Sequence, residues 1–237
     1  MDMWRRACFR LGGIVAIFLV LTWIVPAGAE SLDPNRFKDQ DQITLGNITI
    51  DKKKKEIRVG VRLALTKGIL EYLLVGDMGK AYESVFKVDG ATASELNFGL
   101  LLLGLEPLDY QIYSQALEKS TPLPDLLQAH PNSFVSITIV QRGRQVPYGL
   151  LMVDREKGGG EFTWVYTGGF MTKTNRFSGD LSMSWIGIWG DRNAMLNLYS
   201  TRRNPYRGPF GLEMNEKNKN LAKDQPFELV LRPLRPR

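Results

Sequence analysis

A strict alternation of apolar and polar side chains, returning along the chain, constrains this fold more than any other feature. Ile57, Val59, Val61, Leu63 and Leu65 alternate with Arg58, Gly60, Arg62, Ala64 and Thr66. A period of two sends the two sets to opposite faces, which predicts a half-buried β-strand. The pattern returns in Phe162, Trp164 and Tyr166. Leu181, Met183, Trp185 and Trp189 repeat it with Ser182 and Ser184 opposite, and Phe227, Leu229 and Leu231 repeat it against Glu228, Val230 and Arg232. Ile43 to Ile50 pairs with the first strand as a hairpin whose turn is Asp51 to Lys55. The four lysines of that turn read as a solvated tip that discourages edge pairing. Ile69 to Val75 is apolar on both faces except at Glu71, as in a central strand. Phe134 to Val140 and Val146 to Val153 supply further strands.

Helical signals are fewer. Thr92 and Glu95 fit a capping box, Leu96, Leu100 and Leu103 share one helical face, and Gly104 and Pro107 close the segment. Residues 105–133 carry Pro107, Pro122, Pro124 and Pro131 and read as an irregular excursion, with a short helix over Tyr110 to Glu118 and a possible use as a lid. The expected fold class is α+β. A mostly antiparallel β-sheet, either a sandwich or a partly open barrel, carries one principal helix packed on it.

The first 29 residues read as a signal peptide. Arg5, Arg6 and Arg10 precede an apolar run from Leu11 to Val25, and Ala27-Gly28-Ala29 offers an A-x-A cleavage site before Glu30. That run is shorter than the roughly 20 residues that span a bilayer, so membrane association is expected only if the segment stays uncleaved. Residues 30–42 are a flexible lead-in, 43–233 a single domain and 234–237 a basic tail. The net charge is +6, and the signal carries three Arg and one Asp. The remaining balance is too mild for a nucleic-acid channel, so no nucleic-acid partner is expected.

Composition then excludes chemistries. Cys8 is the sole cysteine and leaves with the signal, so the mature chain has no disulfide, thiol nucleophile or cysteine ligand. The sole histidine, His130, lies in a Pro-rich connection, which removes Ser-His-Asp triads and most zinc hydrolases. Lys157 to Gly160 lacks the Lys-Ser/Thr ending of a phosphate loop. No cofactor or metal is expected. An oxygen-ligand site from Asp154, Asp180 or Asp191 is a minor reading, because none has EF-hand spacing.

What remains is acidic. Burying a carboxylate costs several kcal/mol unless it is paired, so Glu71 is either a structural pair or part of a site. If Gly76 to Gly79 is a four-residue hairpin loop, Val75 faces Lys80. Glu71 then lies opposite Ser84 and diagonal to Tyr82, within reach of the Tyr82 hydroxyl, while Glu83 lies opposite Tyr72.

The blocks G-x-LEYLLV at Gly68 to Val75, GK-x-x-ES at Gly79 to Ser84 and LLLLG-x-x-P at Leu100 to Pro107 resemble the YdjY-like domains, exported bacterial proteins without an established activity. The similarity continues through FTWVYTGG at Phe162 to Gly169 and NPYRGPF at Asn204 to Phe210. The resemblance implies a candidate site at Glu71, Tyr82, Glu83 and Asn97. Relatives commonly carry His where this chain has Tyr82 and Asn97, and some carry cluster-binding cysteines that the mature chain lacks. The expectation is therefore an exported, non-catalytic envelope module that binds a protein or a glycan. The alternative is a hydrolase using Glu71, Tyr82 and Glu83 in a degenerate family site.

Overall fold

The computed structural model describes residues 32–156, 162–200 and 205–234. The expectations placed on the signal peptide with Ala27, Ala29 and Glu30, on Gly158 to Gly160 and on the tail from Arg235 lie outside these residues.

Gly46, in the left-handed region, splits the first predicted strand into a tight hairpin of β1 (Gln42–Leu45) and β2 (Ile48–Asp51). The lysine turn then leads into β3 (Glu56–Leu63), antiparallel to β2. Ile57, Val59, Val61 and Leu63 are buried while Gly60 and Arg62 face solvent, as the alternation predicts. The chain next crosses β4 (Tyr72–Gly76) and β5 (Ser84–Val88) and enters α1 (Ala93–Leu102).

Both ends of α1 carry the chemistry read from sequence. Thr92 and Glu95 form a reciprocal capping box. At the other end the Leu105 N–H donates to the Leu100 carbonyl and the Gly104 N–H to the Leu101 carbonyl, with Gly104 in the left-handed region; this is a Schellman closure. Gly99 lets α1 lie close on β2 and β3, because a Cβ there would come within 3.0 Å of Ile57 and 3.1 Å of Ile50.

Residues 105–133 form α2 (Tyr110–Glu118) and α3 (Leu123–Ala129). Leu108, Tyr113, Ala116 and Leu126 pack with Phe134 and Val165 into a second apolar core. The excursion is thus a docked helical layer, and α1 is not the one principal helix that was expected. There follow β6 (Phe134–Gln141), β7 (Arg144–Val146), the short helix α4 (Tyr148–Leu151), β8 (Met152–Asp154), β9 (Trp164–Tyr166), the short helix α5 (Ser178–Ser182), β10 (Ser184–Gly187), β11 (Leu196–Leu198), β12 (Leu212–Met214) and β13 (Pro226–Pro233).

Eight strands close a barrel in the order β3, β13, β6, β9, β11, β10, β4, β5 and back to β3. Closure removes sheet edges. The barrel is mixed, because β10–β11 and β4–β5 are parallel pairs. The protein is β-rich and most strand pairs are antiparallel, as expected, and the sheet closes into a mixed barrel through the two parallel pairs. Two further expectations are corrected. Val146 to Val153 is interrupted by α4, and Leu181 to Trp189 is no single strand, because Leu181 lies in α5 and Met183 takes a left-handed conformation before β10 starts.

The β4–β5 hairpin is also corrected. Gly79 N–H turns onto the Gly76 carbonyl, and a Cβ on Gly79 would meet Val75 at 2.7 Å and the Met183 carbonyl oxygen at 2.8 Å. The backbone therefore folds back tightly over β4, and β5 starts again beside its beginning. Tyr72 pairs with Ser84 and Leu74 with Phe86, in parallel.

Candidate functional site

Glu71 lies where the chain changes partners. Just before it, Ile69 bridges Glu213 and the Leu70 N–H donates to Leu212; just after it, Tyr72 enters the barrel beside Ser84 and Gly187. The bend is held from both sides. The Glu71 N–H donates to the Glu83 carbonyl at 2.9 Å, and the Glu71 carbonyl accepts from Ile188 at 2.7 Å and Trp189 at 3.1 Å. Glu83 ends the 3-10 turn Ala81–Glu83 on the returning segment. Parallel return, rather than a hairpin, is what sets the two acids side by side.

Lys80 holds them both. Its Nζ donates to Glu71 Oε2 at 3.1 Å and lies 3.5 Å from Glu83 Oε2. The Tyr206 hydroxyl donates to Glu83 Oε1 at 2.6 Å. The acid side chains are only 18% and 19% exposed. Glu83 Oε2 is buried and receives no well-formed hydrogen bond from a described donor. Its neighbour Glu71 draws on the same lysine, and each acid shifts the other's proton affinity.

The proton affinities of the pair are split accordingly. Burial raises Glu71, the adjacent Glu83 adds to the rise, and the Lys80 hydrogen bond opposes it without cancelling it. Burial pushes Glu83 the same way, but the hydrogen bonds from Tyr206 and Glu71 and the Lys80 charge together hold it below the ordinary value. Glu71 is therefore the weaker acid of the pair and Glu83 the stronger. Beside them the Tyr72 hydroxyl donates to Asp191 Oδ2 at 3.0 Å, and Lys80 sits 5.6 Å from the Tyr72 ring centroid. Burial is the main cause that pushes Tyr72 up to about 12.

Split carboxylates are the raw material of acid–base chemistry. Glycosidases, however, separate the two groups by about 5–9.5 Å to admit a sugar carbon or a water. Here Lys80 Nζ lies 3.1 and 3.5 Å from the two carboxylates, so an ammonium group bridges them and offsets their charge.

Of the sequence-derived site residues, the structure brings Glu71 and Glu83 together and leaves two out. Tyr82 points to solvent at 67% exposure, so the expected Glu71–Tyr82 hydrogen bond is replaced by the Lys80 contact. Asn97 sits on α1, where it accepts from the Tyr166 hydroxyl at 2.6 Å. Its cleft is shared with Ser94 and Asp180 instead. The carboxylates considered for a cation are dispersed: Asp180 bonds Ser94, Asp191 bonds Tyr72 and Asn193, and Asp154 accepts from the Glu156 N–H. Among the described residues no group of three His, Cys, Asp or Glu could hold a metal ion, and no helix is long and apolar enough to cross a membrane.

Lys80 and Tyr206 were both missed, although they lie inside the quoted GK-x-x-ES and NPYRGPF blocks. Lys80 had a signal in its i, i+3 spacing to Glu83. Tyr206, 123 residues from Glu83 in the chain, had none. Comparison of the chain with family models, with curated proteins and with solved structures gives no match in any of the three.

Proposed function

We propose that this chain is an exported, YdjY-like envelope protein that acts as a binding module and not as a catalyst, with a protein or glycan as its partner. One observation carries the non-catalytic part: Lys80 bridges Glu71 and Glu83, with its Nζ 3.1 and 3.5 Å from the two carboxylates, and so takes the place a reacting atom would need. The pair then serves as a structural clasp. The signal-like first 29 residues support export.

The alternative, a carboxylate-dependent hydrolase with a degenerate site, draws on the split proton affinities of Glu71 and Glu83. One experiment separates the two. The purified protein is offered chromogenic glycosides and esters from pH 4.5 to 8, beside Glu71→Gln. The binding-module reading expects no turnover by either. Turnover that disappears in Glu71→Gln replaces it with the hydrolase. Expression of the full chain in a bacterial host, with fractionation and N-terminal sequencing, tests export. A soluble periplasmic form beginning at Glu30 is expected, and a cytoplasmic full-length form would overturn it.

A further inference from the structure

A groove beside α2 is lined by several side chains whose polar groups make no hydrogen bond to another described residue. One face of α2 presents Tyr110, Ser114 and Glu118, spaced four residues apart, to a cleft of about 360 Å³ whose opposite wall is Trp189. That volume falls at the small end of ligand sites. Gly190 forms part of the floor, since a Cβ there would come 3.3 Å from both the Tyr110 and Tyr113 hydroxyl oxygens. Tyr113 is committed, because its hydroxyl donates to the Leu198 carbonyl at 2.9 Å. By contrast the Tyr110 hydroxyl, the side chains of Ser114 and Glu118 and the Trp189 indole N–H make no hydrogen bond to another described residue. Trp189 is 37% exposed, yet its backbone is pinned to the Glu71 carbonyl, so the ring is offered on a fixed strut.

Tyr110 also borders a second cleft, of about 390 Å³, which reaches Gln111, Phe170 and Arg192. The Arg192 guanidinium lies 5.3 Å from the Phe170 ring centroid and pairs with no described carboxylate. Tyr110 lines both clefts, and together they form this groove. One end has an aromatic face with hydroxyl and carboxylate acceptors. The other end has a cation whose geometry matches a carboxylate in two-pronged fashion.

We propose that this groove binds a short oligosaccharide carrying a carboxylate-bearing sugar, such as a uronic acid. The proposal rests on the binding-module reading and names its ligand class. Flat aromatic side chains bury the apolar faces of sugar rings while their polar edges stay hydrated. Glu118 and Ser114 accept from and donate to ring hydroxyls. Glu118 also repels an anion at its own end, so the acidic sugar lies toward Arg192 and the ligand has one orientation.

Isothermal titration of the purified chain with trigalacturonic acid and with cellotriose tests this, using wild type, Trp189→Ala, Arg192→Met and Glu118→Gln. Wild type binds the acidic trisaccharide better than the neutral one. Trp189→Ala weakens both by about tenfold or more. Arg192→Met weakens the acidic ligand by about tenfold or more and leaves the neutral one unchanged. Glu118→Gln narrows the preference for one orientation and weakens the neutral ligand. No binding of either trisaccharide to wild type at millimolar concentration overturns the proposal, as does wild-type affinity in both Trp189→Ala and Arg192→Met. Reducing ends assayed in the same samples keep the two ideas distinct. Absent binding with no turnover removes the groove and spares the module, whereas turnover abolished by Glu71→Gln removes the module and spares the groove.

Discussion

Replacing Lys80 by Met removes the cation that bridges Glu71 and Glu83 while keeping its hydrocarbon stem. Two ion-pair contacts are lost, at 3.1 and 3.5 Å. An exposed pair is worth 0.2–1 kcal/mol, and a unit charge pair at 4 Å in an effective dielectric of 20 about 4 kcal/mol. Lys80 is 47% exposed and the acids are four-fifths buried, so the two contacts together fall between, at about 2 kcal/mol. For a chain of this size that lowers Tm by roughly 4–8 °C. The loss depends on pH, and its sign follows from Glu71. Its folded-state pKa lies above the unfolded value near 4.5, so the folded state holds a proton that the unfolded chain releases. Stability from this group therefore falls as pH rises from about 4.5 through the raised value. Without Lys80 that value rises further and the window widens. Scanning calorimetry at pH 8 shows the full deficit, and at pH 5 less than half of it, because a shared proton then does the lysine's work. The double variant with Glu71→Gln regains most of the loss at pH 8, as an amide donates to Glu83 without needing a proton. Equal deficits at pH 5 and pH 8, or no rescue by Glu71→Gln, would refute the shared-proton account.

Three other perturbations probe the barrel. Glu56 is 3% exposed at its side chain and joins Arg58 at 2.9 Å and Arg232 at 2.5 Å across the β3–β13 seam. Burial alone would raise its pKa, and the two arginines overcome that and lower it. Its contribution is thus full above about pH 4.5 and is lost as pH falls through the depressed value. Glu56→Ala costs about 2–3 kcal/mol at pH 7 by urea titration, less than for a fully buried pair because both arginines reach water. Asn197→Ala costs about 2–4 kcal/mol, since the fully buried amide accepts from the Asp191 N–H at 2.8 Å and donates to Thr167 at 2.9 Å. Gly46→Ala forces a left-handed residue and sets its Cβ on the Gly90 carbonyl oxygen. Hydrogen exchange should show the β1–β2 amides losing protection while the β3–β13 amides keep theirs.

The sequence was most legible where one face is wet. In β3, Arg58, Gly60 and Arg62 alternate with buried neighbours, and the strand was read to within one residue at its start and three at its end. In α1 the Thr92–Glu95 box and Gly104 are local interactions that spacing alone declares. Legibility failed where every residue is buried. β4, β9, β10 and β11 are covered on both sides, so their composition carries no face and no direction. Nothing in Tyr72 to Gly76 says that Ser84 to Val88 runs parallel to it. That choice belongs to Gly79 and its close approach to the carbonyl of Met183, the residue before β10 and more than 100 residues away in the chain. The site inherited the error. An antiparallel register sets Glu71 opposite Ser84 and diagonal to Tyr82, whereas the parallel return aligns Glu71 with Glu83 and brings Lys80 to both.

Those contacts also give the acid pair a use that needs no catalysis. The loop from Ile188 to Ala194 carries Trp189 and Arg192, the two ends of the proposed groove. Ile188 and Trp189 hang from the Glu71 carbonyl, Asp191 is tied by Tyr72 and by Asn197, and Asn193 folds back onto Asp191. A loop with this many anchors presents its side chains with little ordering left to do on binding, which is how preorganisation raises affinity. Removing a remote anchor should then weaken ligand binding without touching the ligand. Tyr72→Phe deletes only the hydroxyl bonded to Asp191. It should weaken trigalacturonate by about two- to fivefold, with a less favourable binding entropy by calorimetry, and shift Tm by no more than about 4 °C. An affinity equal to wild type would separate the acid cluster from the groove and leave the clasp a purely structural device.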